Sequence, residues 1–212
     1  MKKLIIGAVL MVAAGSVFAE GDVKAGEAKI AVCTACHGAD GNSAAPNFPK
    51  LAGQHPKYTA KQLQDMKTDV SKGGRMVVEM AAIVANLSDQ DIADIAAYYG
   101  VQAIQGGATD PELVAKGEQV YRAGNKDKGM AACTGCHSPD GKGNNGAAFP
   151  ALAGQHAEYI EKQLKAFRLA AEEPQAQGAR VNDGDAKIMR DVASRMSDLE
   201  IRAVASFISG LR

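Results

Sequence analysis

Apolar residues recur along this chain at helical spacing, and no stretch alternates apolar with polar as a half-buried strand would. Ile160, Leu164 and Phe167 fall at i, i+4 and i+7, and Ile92, Ile95, Ala96 and Tyr99 make a second stripe. The pattern predicts opening helices over 22–32 and 111–123, the latter with Asp110 as N-cap and Pro111 at its first position. Further helices are predicted over 56–67 and 157–171. Ser88-x-x-Asp91 and Ser197-x-x-Glu200 each read as a capping box that starts a closing helix. Gly26 and Gly117, inside the opening helices, leave room for a closing helix to approach. The expected fold class is all-α.

These elements come in two sets because the chain repeats itself. Cys33-Thr-Ala-Cys36-His37 returns as Cys133-Thr-Gly-Cys136-His137. Phe48-Pro49-Lys50-Leu51-Ala52-Gly53-Gln54-His55 returns as Phe149-Pro150-Ala151-Leu152-Ala153-Gly154-Gln155-His156. Tyr58 with Lys61-Gln62-Leu63 matches Tyr159 with Lys162-Gln163-Leu164, and Leu87-Ser88-Asp89 matches Met196-Ser197-Asp198. Two homologous domains are expected, 20–104 and 112–212, joined by the turn-rich seam 105–111.

Residues 1–19 stand outside the repeat. Lys2 and Lys3 precede an apolar run from Leu4 to Phe18, which ends in a small residue, Ala19, before Glu20. That order describes a cleaved secretory signal. The run is shorter than the ~20 residues a spanning helix needs, and no cysteine follows it to carry a lipid. The mature chain is expected to start near Glu20 in the periplasm.

Composition then changes the picture in two ways. The 212 residues are 46% hydrophobic, and 24 acids balance 24 bases, so the chain lacks the basic excess of a nucleic-acid binder. Aromatics are only 5% and tryptophan is absent, so two cores must be filled by something other than large rings. Without residues 1–19, 22 bases face 24 acids, and 20–104 (8 bases, 10 acids) is more acidic than 112–212 (14 and 13). The two ends could therefore prefer different partners, against the plainer reading of an evenly solvated surface.

Four cysteines are too few for a disulfide scaffold, and their spacing carries the chemistry. Cys-x-x-Cys-His is a c-type haem attachment signal: two thiols one helical turn apart add to the haem vinyl groups, and the adjoining imidazole faces the iron. A Cys-x-x-Cys redox pair does not call for histidine, and no thioredoxin-like βαβ pattern accompanies it. A shared four-cysteine zinc site leaves each pair's own histidine unexplained. Two covalent haems, through Cys33 and Cys36 and through Cys133 and Cys136, with His37 and His137 as proximal ligands, fit the whole pattern.

The sixth ligand follows from the repeat. Met80 lies eight residues before Ser88 and Met189 eight before Ser197. Met66 aligns with Phe167, Met76 with Asp185 and Met196 with Leu87, so only Met80 and Met189 are methionine in both copies. His/Met ligation is the usual electron-transfer arrangement. The alternatives are that both are core methionines, or that His55 and His156 give bis-histidine ligation; a surface or capping role suits those histidines better. A proximal imidazole usually donates its other N–H to a carbonyl, and Pro49 and Pro150 are placed to supply one.

Taken together, these motifs closely resemble the dihaem cytochrome c4 family, over essentially the whole mature chain. The resemblance implies two tandem class I cytochrome c domains packed together, each wrapped around one haem with His/Met ligation. It also implies periplasmic or loosely membrane-associated electron transfer between respiratory donors and a terminal oxidase. Class I relatives often place a tryptophan near a haem propionate; here Tyr58, Tyr159, Gln54 and Gln155 are the candidates for that contact. A one-electron carrier is the first reading, with redox proteins as partners, no nucleic acid and no small-molecule substrate. A dihaem electron-transfer subunit of a dehydrogenase and a dihaem peroxidase are the alternatives, the latter opposed by the paired methionines.

Overall fold

The computed structural model describes residues 20–212. The expected secretory signal, 1–19, lies outside the described residues. Among the described residues ten α-helices follow one another: α1 Val23–Glu27, α2 Thr34–His37, α3 Pro56–Lys67, α4 Val78–Ala85 and α5 Asp89–Gly100, then α6 Val114–Ala123, α7 Thr134–His137, α8 Ala157–Glu172, α9 Ile188–Ser194 and α10 Asp198–Gly210. No strand occurs among the described residues; only two isolated β-bridges, Asn125 with Met130 and Asn144 with Phe149, do.

Local chemistry sets the boundaries. The expected helix over 22–32 is shorter: Asp22 caps α1 by accepting from the Ala25 N–H at 2.6 Å, and the chain then tightens into a 3₁₀ turn, Ile30–Val32, that delivers Cys33. The expected Asp110 cap is also corrected. The Asp110 carboxylate accepts from Glu112 N and its backbone N–H donates to the Ser206 hydroxyl, so 110–113 form a turn and α6 begins at Val114. Both capping boxes form, Ser88 with Asp91 and Ser197 with Glu200, each satisfying two backbone N–H groups that a helix start leaves orphaned.

In each domain the closing helix crosses the opening one at a glycine. A Cβ on Gly26 would stand 2.1 Å from the Asp94 carbonyl oxygen of α5, and one on Gly117 would stand 2.2 Å from the Ala203 carbonyl oxygen of α10. Hydrogen alone fits there. The cores beside the two crossings are separate: Ile30, Leu63, Val84, Ile92, Ile95 and Tyr99 in the first domain; Tyr121, Ile160, Leu164, Ile201, Val204 and Ile208 among others in the second.

The two cores exchange a pair of side chains. Ile30 follows Gly26 by four residues, as Tyr121 follows Gly117, while Tyr99 and Ile208 occupy matching places on the closing helices. The buried ring thus comes from the closing helix in one domain and the opening helix in the other. It packs on the same neighbour position, Tyr98 at 5.2 Å or Phe207 at 5.6 Å, between ring centroids. Its hydroxyl reaches the same carbonyl position, Gly38 at 3.5 Å or Ser138 at 2.7 Å, just past the haem-motif histidine.

Candidate haem sites and the domain boundary

Everything the sequence singles out for haem meets at one cavity. Cys33, Cys36, His37, Pro49 and Met80 of the first domain line it together with Cys133, Cys136, His137, Pro150 and Met189 of the second. Its volume, about 960 Å³, is at the top of the roughly 300–1,000 Å³ usual for one small-molecule site, and its walls are mainly apolar.

Short helices α2 and α7 hold the motifs. The His37 and His137 N–H groups donate to Cys33 O and Cys133 O, both at 2.9 Å, closing one turn that sets cysteines and histidine side by side. His37 and His137 are buried, and burial lowers their basicity more than their carbonyl contacts raise it. Each ring is therefore neutral. His37 Nδ1 donates to the Pro49 carbonyl at 2.9 Å and His137 Nδ1 to the Pro150 carbonyl at 3.1 Å, which leaves Nε2 as the lone-pair nitrogen. No disulfide joins the four cysteines; burial pushes the Cys33 thiol up and the Cys133 thiol up to about 11.

The methionines separate by place. Met130 and Met196 are buried in the second core, Met66 packs against the first, and Met76 is 65% exposed. Met80, near the start of α4, and Met189, near the start of α9, are partly buried and border the cavity. Thr59 Oγ1, on the cavity wall, is the one buried side-chain polar atom without a hydrogen bond among the described residues. Neutral imidazoles with a free nitrogen, paired thiols, thioethers, apolar walls and an orphaned hydroxyl all suit two haem groups.

The histidines and glutamines after the prolines join the domains. His55 and His156 sit at the N-caps of α3 and α8, yet their side chains cap nothing. They reach across instead: His55 Nε2 to the Lys142 carbonyl at 2.7 Å, and His156 Nε2 to the Ser43 carbonyl at 2.9 Å. The Gln54 amide exchanges two 2.9 Å bonds with the Ala151 backbone, and the Gln155 amide two with the Lys50 backbone, also at 2.9 Å. Those four bonds turn both glutamine amides onto the backbone of the other domain and leave each only its second amide N–H for a propionate. Lys50 Nζ, buried, donates to Gln105 O of the seam and to Gly154 O at 3.1 Å.

Sequence reasoning missed Arg75 and Arg180. The chain loops before Met80 and Met189 differ in length, so counting from either side fails to align these arginines. The backbone does align them: Arg75 N donates to Asp65 O at 2.8 Å and Arg180 N to Ala166 O at 3.0 Å, and those carbonyls lie on matching turns of α3 and α8. Both guanidiniums line the cavity, bonded to Tyr58, Tyr159, Gln62 and Gln163. Burial raises the Tyr159 phenol, but Arg75 and Arg180 beside it outweigh that and hold it below the usual tyrosine range.

Comparison with known proteins agrees with the repeat. The Cytochrome c family model matches residues 23–99 and 114–212. A cytochrome c4 of Azotobacter vinelandii is 54% identical over 202 residues, covering 93% of this chain and 92% of that protein. The crystal structure of reduced recombinant cytochrome c4 from Pseudomonas stutzeri superposes with a TM-score of 0.83 at 52% identity, covering 91% of this chain and all of that one. A thiosulfate dehydrogenase electron acceptor of Stutzerimonas stutzeri (strain A1501) is 36% identical over 187 residues, 84% of this chain and 78% of that protein.

Proposed function

We infer the chemistry from one premise: this chain belongs to the cytochrome c4 family of dihaem electron-transfer proteins. Residues 20–104 and 112–212 are its two cytochrome c units, with 105–111 as linker. Cys33 and Cys36 hold one haem by thioether bonds, and Cys133 and Cys136 the other. His37 and Met80 ligate the first iron, and His137 and Met189 the second. When bound, each haem supplies a one-electron ferric–ferrous couple, so the chain carries two electrons.

The protein's own groups fix how that couple behaves. The Pro49 and Pro150 carbonyls hold each imidazole in one tautomer and orientation, and burial keeps it unprotonated. With haem bound, the Met80 and Met189 thioethers would hold the two irons together with His37 and His137, a His/Met donor set that would favour electron transfer over turnover and raise the potential. The supporting observation is the equivalence of Met80 and Met189 at the shared cavity. With Lys2, Lys3 and the apolar run after them as an export signal, the chain works in the periplasm, at or near the inner membrane surface. It passes electrons from respiratory donors to a terminal oxidase. A dehydrogenase as the donor is a second reading, favoured by the similarity to the thiosulfate dehydrogenase electron acceptor.

Spectroelectrochemical titration of the wild type beside Met80→Ala and Met189→Ala tests this ligation. Each variant is expected to lose about half of the red absorption band of Met-ligated ferric haem and to lower one potential. A variant that keeps the full band has lost no ligand, and the assignment at that iron fails.

A further inference from the structure

The loops that carry the two methionines are held in different ways. Nine positions separate Met189 from Arg180 but only five separate Met80 from Arg75, so the second loop is four residues longer. A longer loop has more freedom to lose when its end is fixed. In the second domain one ion pair spans the added length. Arg190 Nε donates to Asp183 Oδ1 at 2.6 Å, and the Arg190 backbone N–H donates to Asp183 Oδ2 at 2.9 Å. Arg190 Nη2 donates to the Val181 and Gly184 carbonyls at 3.2 and 3.1 Å. The Arg190 and Asp183 side chains are 12% and 5% exposed, and no other ion pair among the described residues has both members so buried.

These contacts bear on Met189, the residue before Arg190. Asp183 caps the first turn of α9 from outside, because Lys187, the residue at its N-cap, has no acceptor in its side chain. Lys187 itself sits at φ 50°, in the left-handed region that a side chain adopts only under constraint. The ring of contacts from Asp183 to Arg190 supplies that constraint. The neighbouring carboxylate, Asp191, does not: it is 59% exposed and pairs with Arg195 one turn on. The same counts from Met80 fall on Gly74 and Ala81, which can form no such pair. The first loop closes instead by backbone bonds, Gly74 N to Asp69 O at 3.0 Å and Arg75 N to Asp65 O at 2.8 Å.

We propose that Asp183 and Arg190 are positioning residues for Met189 alone, a latch that keeps the thioether in place as the second iron's ligand and keeps added ligands out. The proposal rests on the ligation read above. An added ligand reaches the iron only in the fraction of molecules whose thioether has moved away, so its apparent affinity scales with that fraction. A broken latch enlarges the fraction at the second haem and leaves the first as it was. Neutralising Asp183 also leaves Arg190 a buried charge without its partner, which loosens the loop further.

The test is imidazole titration of the full chain with both haems attached, followed by loss of the red Met–ferric band. In a Met80→Ala background the remaining band reports Met189, and in a Met189→Ala background it reports Met80. Asp183→Asn and Arg190→Ala are expected to raise the imidazole affinity roughly tenfold where Met189 is read, and not where Met80 is read. Arg190→Lys, which keeps the charge but loses the fork, is expected to fall between. Asp191→Asn removes a charge nearer in sequence but no latch, and is expected to change nothing. Amide hydrogen exchange gives a readout independent of the iron: Asp183→Asn is expected to speed exchange of the Arg190 N–H, with protection in α4 unchanged. Equal shifts at both haems, or an Asp191→Asn effect as large, overturn the latch. Unchanged affinity, or unchanged exchange at Arg190, does the same. If Arg190→Ala does not accumulate, Asp183→Asn and Arg190→Lys decide. Background variants that keep the full band overturn the ligation itself, whereas half bands with unshifted imidazole affinities overturn only the latch.

Discussion

Exchange of the tyrosine between opening and closing helices makes a strong packing prediction. In the first domain Tyr99 is fully buried beside Ile30; in the second, Tyr121 takes the corresponding space from the other helix and Ile208 faces it. Tyr99→Ile alone removes a ring with no exposed surface, its 5.2 Å contact with Tyr98 and its weak 3.5 Å bond to Gly38 O. The expected cost is about 2–3 kcal/mol, below the roughly 3–5 kcal/mol for complete truncation of a buried aromatic. Ile30→Tyr alone adds a ring to a filled core and costs about 1–3 kcal/mol. The double variant rebuilds the second domain's arrangement, in which the hydroxyl bond shortens to 2.7 Å, a gain of about 1 kcal/mol. The two changes should therefore couple favourably by at least about 2 kcal/mol. Guanidinium unfolding of the four haem-loaded proteins, followed by circular dichroism and haem absorbance, measures the cycle. Additive costs would show that the two positions do not share one space and would refute the equivalence.

Two further predictions concern the second domain. The Glu200 side chain is 3% exposed; burial pushes its carboxyl up, but Lys128, Asn125 and the Ser197 cap outweigh this and bring it down to about 2 from an ordinary 4.5. Its folded pKa lies below the unfolded one, so the stabilisation is complete above about pH 4.5 and is lost as pH falls toward 2, by about 1–3 kcal/mol. Glu200→Gln is expected to lower Tm at pH 7 and to flatten its decline in acid; an unchanged acid profile would contradict it. Gly117→Ala drives a methyl into the Ala203 carbonyl and is expected to cost about 1–3 kcal/mol, read from the denaturation midpoint, whereas Gly135→Ala, with nothing within 4 Å, is expected to be tolerated.

Much of this architecture is legible in the residues because the repeat states it twice. Motif, proline loop, methionine and capping box keep their order and nearly their spacing in both copies, so equivalence distinguishes Met80 and Met189 from six other methionines. The opening helix boundaries are less legible. Asp110-Pro111 carries every local signal of a helix start, but the contact of Asp110 with Ser206 on α10 holds those residues in a turn. His55 and Gln54 look local in sequence because the partner atoms, on 142 and 151, are backbone atoms that no side-chain pattern reveals. Arg75 and Arg180 are hidden by loops of unequal length, and only their hydrogen bonds to matching helix turns reveal them as a pair. The scarcity of aromatics has its explanation in the shared cavity, where haem supplies the bulk that side chains do not.

The central claim, two six-coordinate haems that move electrons without binding substrate, is most directly tested by the wild-type ferric spectrum combined with carbon monoxide addition to the reduced protein. The account predicts a red Met–ferric band whose intensity matches two haems, two one-electron steps on titration, and no carbon monoxide adduct in the native protein. A band that accounts for only one haem, with the other binding carbon monoxide while the fold stays intact, would contradict it.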